Sequence, residues 1–185
     1  MAFTTALRDA KTCLVVIDIQ EKFGPAVAGF DAVAAAAARL IAGCRMLAVP
    51  VIATEQYPRG LGPTVAQVRE ALGIDVPIIE KTSFSCAGAP GFTDRLNQSG
   101  ANTVVVCGVE THVCVNQTVQ DLLRSGFGVH VARDAVGSRT TIDHETALEK
   151  MRQAGAVITT VETCLFELVG DAKHPKFKDV QRLVK

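Results

Sequence analysis

Apolar runs of four to seven residues, rich in valine and isoleucine, recur along the chain and end in polar or turn residues. They cover Cys13–Ile19, interrupted near its end by Asp18, then Val49–Thr54, Pro77–Glu80, Thr103–Cys107, Gly128–Ala132 and Ala156–Val161. Most are continuous rather than alternating, which is how strands read when both faces of a parallel sheet are covered. Helical patterns fit between them. Asp31 can cap a helix running to about Leu47, and Pro63–Leu72 ends at Gly73. Phe92–Gln98 stops at Gly100, Thr111–Ser125 at Gly126, Asp143–Ala154 at Gly155 and Glu162–Val169 at Gly170. The amphipathic stretch Pro175–Lys185 reads as a final short helix. This repetition predicts one βα-repeated α/β domain over residues 1–185, built on a mostly parallel sheet.

Composition narrows the partners. The 185 residues carry 19 basic and 19 acidic side chains, a balance that argues against nucleic acid or an anionic membrane as the main partner. Hydrophobic residues at 48% against 21% charged exclude a disordered chain. The longest apolar stretch, Ala32–Ala53, contains Arg39, Gly43, Arg45 and Pro50 and does not read as a membrane span. The N-terminal MAFTTALRDAKTC lacks the apolar region of a secretion leader, so a cytoplasmic location is the expectation. The six cysteines form no CxxC pair, and five of them read as small core residues of a reduced protein.

Ligands of open parallel sheets bind beyond the carboxyl ends of the strands, where the strand order reverses. Three reactive side chains fall at such ends. Asp18 follows CLVVI, where an ionisable carboxyl needs a partner or a cleft, though a capping or loop role is open to it as well. Lys81 follows PIIE and taken alone reads as a surface lysine. Cys114 lies in GVETHVC after the fourth strand. With Thr111 as N-cap, Cys114 falls in the first helical turn, where free backbone N–H groups favour a thiolate and can hold an oxyanion. An acid, a lysine and a thiol are the parts of covalent acyl transfer. No GxSxG elbow is present, and His112 stands too close in sequence to Cys114 to face it as a base.

The segments VVIDIQEKF, ATEQYPRGLGPTV, EKTSFS, GVETHVCVNQT and HVARDAVGSR, in that order, resemble the isochorismatase-like cysteine hydrolase family. MRQAGA and LVGDAKHPKFKDVQRLVK extend the match toward its isochorismatase domain-containing subgroup. The resemblance implies a Rossmann-like three-layer α/β/α sandwich whose six-stranded sheet has the order 3-2-1-4-5-6. It also implies a catalytic Asp18–Lys81–Cys114 triad, a cis Val109–Glu110 peptide and an oxyanion hole of the Glu110 and Cys114 backbone amides. Asp18 would take the thiol proton while Lys81 and the helix terminus stabilise the thiolate. Phe23, Gln56, Tyr57, Phe84 and Thr111 are the expected substrate contacts. Asp134, Ser138 and Arg139 are placed past the fifth strand, as loop-ordering, subunit-contact or substrate residues.

Two departures narrow the activity. True isochorismatases lack the nucleophilic cysteine, whereas this chain has Cys114. Nicotinamidases of the family carry a metal-binding DxH-type motif after the second strand; the equivalent stretch here is TEQYP, and no catalytic metal or other cofactor is expected. The expected protein is a homo-oligomeric hydrolase (dimer, tetramer or larger) acting on a small molecule with an amide or related C–N bond. A non-catalytic binding or scaffold protein is the competing expectation. A dinucleotide-dependent oxidoreductase lacks support, because DIQEKFGP at the first βα junction has no GxGxxG.

Overall fold

The valine-rich runs do become strands. In the computed structural model, which describes residues 6–185 except the side chain of Asp9, they form one parallel sheet in the order β3-β2-β1-β4-β5-β6. Residues 1–5, part of the stretch expected to lack a leader, lie outside the described residues. The chain runs β1 (Thr12–Ile17), α1 (Phe30–Met46), β2 (Val51–Gln56), α2 (Pro58–Leu61), α3 (Ala66–Leu72) and β3 (Ile78–Lys81). It continues through α4 (Phe92–Gln98), β4 (Thr103–Val109), α5 (Asn116–Arg124), β5 (Gly128–Gly137), α6 (Thr141–Gln153), β6 (Val157–Thr159), α7 (Val161–Val169) and α8 (Phe177–Val184).

Alternate residues of the central strands feed two separate cores, which is why these strands have no polar face. From β1, Leu14 and Val16 join one core while Cys13, Val15 and Ile17 join the other; β4 divides in the same way, with Val105 and Cys107 opposite Val104 and Val106. The first core is closed by α1, α3, α7 and α8, the second by α4, α5 and α6. Small residues set the first spacing: Ala34, Ala36 and Ala37 of α1 are buried, and a Cβ on Gly43 would fall 2.3 Å from Leu165 of α7. Among the described residues no helix is long and apolar enough to cross a membrane.

Some boundaries differ from expectation, each for a local reason. Gly29, in the left-handed region, precedes α1, and Asp31 sits inside its first turn instead of capping it. Residues 63–65 stay out of α3 because Thr64 donates both its amide and its hydroxyl to Glu55 Oε1, at 2.6 and 2.7 Å, while Val65 N–H bonds the Ile19 carbonyl. The one-turn α2 starts on Pro58, a residue suited to a first helical position. β5 runs on to Gly137, because its pairing with β4 resumes at Gly108–Val136 after an irregularity, so Asp134 lies within the strand and not beyond it. The segment Thr111–Val115 is a turn of π-helix preceding α5, and Thr111 is its first residue rather than its cap.

Candidate active site

The strand order turns back between β1 and β4, so their carboxyl ends flank the crevice of the sheet. Asp18 leaves β1 with φ +52°, a left-handed conformation that aspartate tolerates better than most residues and that ends the strand. Its amide donates to the Thr54 carbonyl of β2 (3.2 Å). Lys81 closes β3 and reaches across β2. Cys114 rises from the π-turn after β4, and the Val109–Glu110 peptide leading into that turn is cis.

These three side chains meet. Asp18 is fully buried: Oδ2 accepts from Lys81 Nζ at 2.6 Å, Oδ1 accepts from Thr54 Oγ1 at 2.7 Å, and the Cys114 thiol lies within electrostatic reach of the same carboxylate. Because Thr54 gives its one hydroxyl hydrogen to Asp18, the Cys86 thiol 3.7 Å away acts as the donor to Thr54. Lys81 Nζ is also surrounded by Gln56 Oε1 (2.7 Å), the Ser83 carbonyl (3.2 Å) and the Phe84 carbonyl (3.1 Å). Four acceptors exceed its three hydrogens, so the ammonium is fully engaged. Its effect on Cys114 is therefore electrostatic.

Burial governs the protonation states. It pushes Asp18 above the ordinary carboxylate range, against the downward pull of Lys81 and the hydrogen bonds from Lys81 and Thr54. Burial alone would lower Lys81, but the Asp18 charge, aided by Cys114 and Cys86 in their ionised forms, outweighs it and the net shift is upward. Cys114 is pushed strongly up, first by burial and then by the Asp18 charge, with Lys81 opposing. Burial and the Asp18 charge therefore oppose ionisation of Cys114, while Lys81 favours it.

Cys114 lies in a cavity of about 460 Å³ lined by Phe23, Ala26, Leu61, Phe84 and Val113, with Lys22, Gln56, Glu110 and Arg139 as its polar members. Phe23 and Phe84 thus stand where substrate contacts were expected. Gln56 lines the cavity too, but its side chain serves the protein: Oε1 takes Lys81 and Nε2 donates to the Thr82 carbonyl (2.9 Å). Gln56 N–H in turn donates to buried Gln20 Oε1 (2.8 Å), whose Nε2 bonds the Gln56 and Gly62 carbonyls. Two expected contacts are not brought in. Tyr57 lines a neighbouring groove with Arg59 and Glu80, and Thr111 is buried with its hydroxyl 3.0 Å from His144 Nδ1.

Thr54 and Gln20 escaped the sequence reading. The signal for Thr54 was a hydroxyl closing the apolar run VIAT beside the strand that ends in Asp18. Thr54 and Gln56 belong to the TEQ stretch and here contact Asp18 and Lys81. His112 Nδ1 pairs with Ser138 Oγ at 3.0 Å, and Asp134 Oδ1 accepts from Val161 N–H at 2.9 Å, ordering the start of α7.

The Isochorismatase domain model matches residues 12–163. Isochorismatase domain-containing protein 2 of Xenopus laevis is 43% identical over 96% of this chain and 85% of its own length. Isochorismatase domain-containing protein 1 of Salmo salar is 42% identical over 95% of this chain, which spans only 62% of that longer protein. The solved MAR1 ribonuclease of Caenorhabditis elegans superposes with a TM-score of 0.92 at 43% identity, covering 97% of this chain and 92% of its own. With the family model covering most of the chain and close relatives covering nearly all of it, this protein belongs to the isochorismatase family.

Proposed function

We propose that the chain is a hydrolase of small amides or related C–N bonds, working through a covalent thioester on Cys114. The observation that carries this reading is the placing of Cys114, on the cavity wall, beside the buried Asp18 carboxylate, whose own position is fixed by Lys81 and Thr54. Asp18 takes the thiol proton as sulfur attacks the carbonyl carbon, so no thiolate has to persist in the resting enzyme. Its raised affinity for protons suits a general base. The oxyanion that forms is held by the backbone N–H groups of Glu110 and Cys114. The Glu110 carbonyl accepts from Val113 and Val115 on either side of Cys114, which pins the turn that presents those amides.

As the C–N bond breaks, Asp18 returns the proton to the leaving nitrogen. A water that has given a proton to Asp18 then attacks the thioester, the sulfur leaves, and the proton restores the thiol. Lys81 keeps Asp18 charged and immobile between steps. Phe23 and Phe84 flank the substrate body.

Acyl-enzyme trapping tests this scheme. Incubation with a panel of small amides and ureido compounds should release ammonia and leave a mass adduct on the peptide containing Cys114. Cys114→Ala should lower turnover at least about a thousand-fold while the far-ultraviolet spectrum stays native. Retained turnover in that variant would end the reading and leave the binding or scaffold alternative. The nematode relative is described as a ribonuclease; here a thiol beside a buried carboxylate suits attack on a carbonyl carbon. Self-association belongs to the same proposal, supported by exposed Tyr57, Phe84 and Ile142, and light scattering measures it.

A further inference from the structure

We propose that the Cys114 cavity selects an anionic substrate, a small amide or ureido compound whose carboxylate is held by Lys22 and Arg139 at the mouth while its carbonyl faces Cys114. The identity of the reacting carbonyl rests on the hydrolase reading above. The anion site rests on the charges of the cavity itself.

Three charged side chains line the cavity besides the buried Asp18–Lys81 pair, which neutralises itself: Lys22, Arg139 and Glu110. Two cations thus face one carboxylate, and that carboxylate is already committed. Glu110 Oε1 accepts from both the backbone N–H (3.1 Å) and the Nε (3.0 Å) of Arg139. Held at Nε, the guanidinium keeps both Nη groups without a partner among the described residues, and the Lys22 ammonium has none there either. A guanidinium edge fixed in this way is a preformed fork for a carboxylate. The remaining walls, Phe23, Ala26, Leu61, Phe84 and Val113, are apolar and strengthen any charge interaction between them.

The same charges set the substrate's orientation. Lys22 and Arg139 are exposed at the rim, whereas the Asp18–Lys81 pair behind Cys114 is buried and offers no net charge to an anion. A carboxylate is therefore favoured at the mouth and a neutral carbonyl at the floor. The volume of about 460 Å³ limits the ligand to a small molecule.

Paired alkylating agents test this without needing turnover. Iodoacetate and iodoacetamide differ chiefly in charge, and labelling of Cys114 by each is read by peptide mass spectrometry at one mildly alkaline pH. The iodoacetate-to-iodoacetamide rate ratio at native Cys114 should exceed that of the urea-unfolded protein about ten-fold or more, and should fall with added salt. Lys22→Gln and Arg139→Gln should each lower the ratio, and the Lys22→Glu/Arg139→Glu double variant should invert it. Arg139 is tied to Glu110, so Lys22→Gln, on a side chain without a partner among the described residues, provides the variant least open to a folding artefact.

A ratio equal to that of the unfolded chain, or unmoved by these substitutions, would overturn the proposal. Failure of both reagents to reach Cys114 would overturn it too, because the cavity would then not lead to the thiol. An anionic preference in alkylation with no acyl-enzyme from any amide would remove the hydrolase reading alone. Where turnover is found, succinamate should be used at least about ten-fold more efficiently than its neutral isostere succinamide, judged by kcat/KM.

Discussion

At Asp18 the carboxylate accepts from Lys81 and Thr54, and each donor can be removed separately. Thr54→Val deletes the donor to Oδ1 with little change of shape. Losing a hydrogen bond that favours the charged form raises the carboxyl further, so the acid limb of kcat/KM against pH should move to higher pH by about one unit. An unmoved limb would show that Asp18 is not the group titrating. Lys81→Met leaves the buried carboxylate uncompensated, and urea unfolding should register a loss of about 3–5 kcal/mol. Adding Asp18→Asn removes the stranded charge, so the double variant should lose clearly less than the sum of the two single losses while remaining inactive. The strand-end positions of Asp18, Lys81 and Cys114 were legible in the sequence, while their union in one triad was only what the family resemblance implied. Their electrostatics were not legible, because the desolvation that opposes ionisation of Cys114 depends on residues far away in sequence.

The elements were legible to within a few residues because valine-rich runs and glycine stops report local geometry. What escaped was set by contacts between elements. The π-turn at Thr111–Val115 reads in sequence as the start of an ordinary helix, yet it lets the Glu110 carbonyl accept from Val113 and Val115 on both sides of Cys114. Thr111 as a cap and Tyr57 as a substrate contact were placed by sequence neighbourhood, and the fold turns both elsewhere. β4 and β1 also approach closely just before the site. A Cβ on Gly108 would lie 2.0 Å from the Ile17 carbonyl oxygen, and Gly108 has φ +127°. Gly108→Ala should therefore cost about 3 kcal/mol or more, seen as a lowered thermal midpoint. Turnover should fall with it, because Ile17 is the residue before Asp18.

Over the whole molecule, stability should depend on histidines outside the site. His130 lies on β5, its Nδ1 buried without a partner among the described residues, and burial lowers its proton affinity against the opposing charge of Glu167. Burial lowers His144 too, helped by Arg133 and opposed by Glu145. In both cases the unfolded chain protonates first as pH falls. Their contribution is whole above the unfolded value of about 6.5 and declines below it until the folded groups titrate. Unfolding free energy should drop on acidification through this window, and His130→Leu should flatten the slope. An identical slope in that variant would refute the assignment.

The amino-acid sequence alone determined the alternation of strands and helices, the two-sided burial of the sheet and the strand ends that carry Asp18, Lys81 and Cys114. These follow from the local spacing of apolar residues, glycine stops and the rule that parallel strands need covered faces. Only the tertiary structure decided that Thr54 and Gln56 serve Asp18 and Lys81, that Lys81 is saturated, and that Lys22 and Arg139 share one cavity. Those facts depend on the register of β3, β2, β1, β4 and β5, where a one-residue slip would send each strand's side chains to the opposite face, and no local pattern encodes that register.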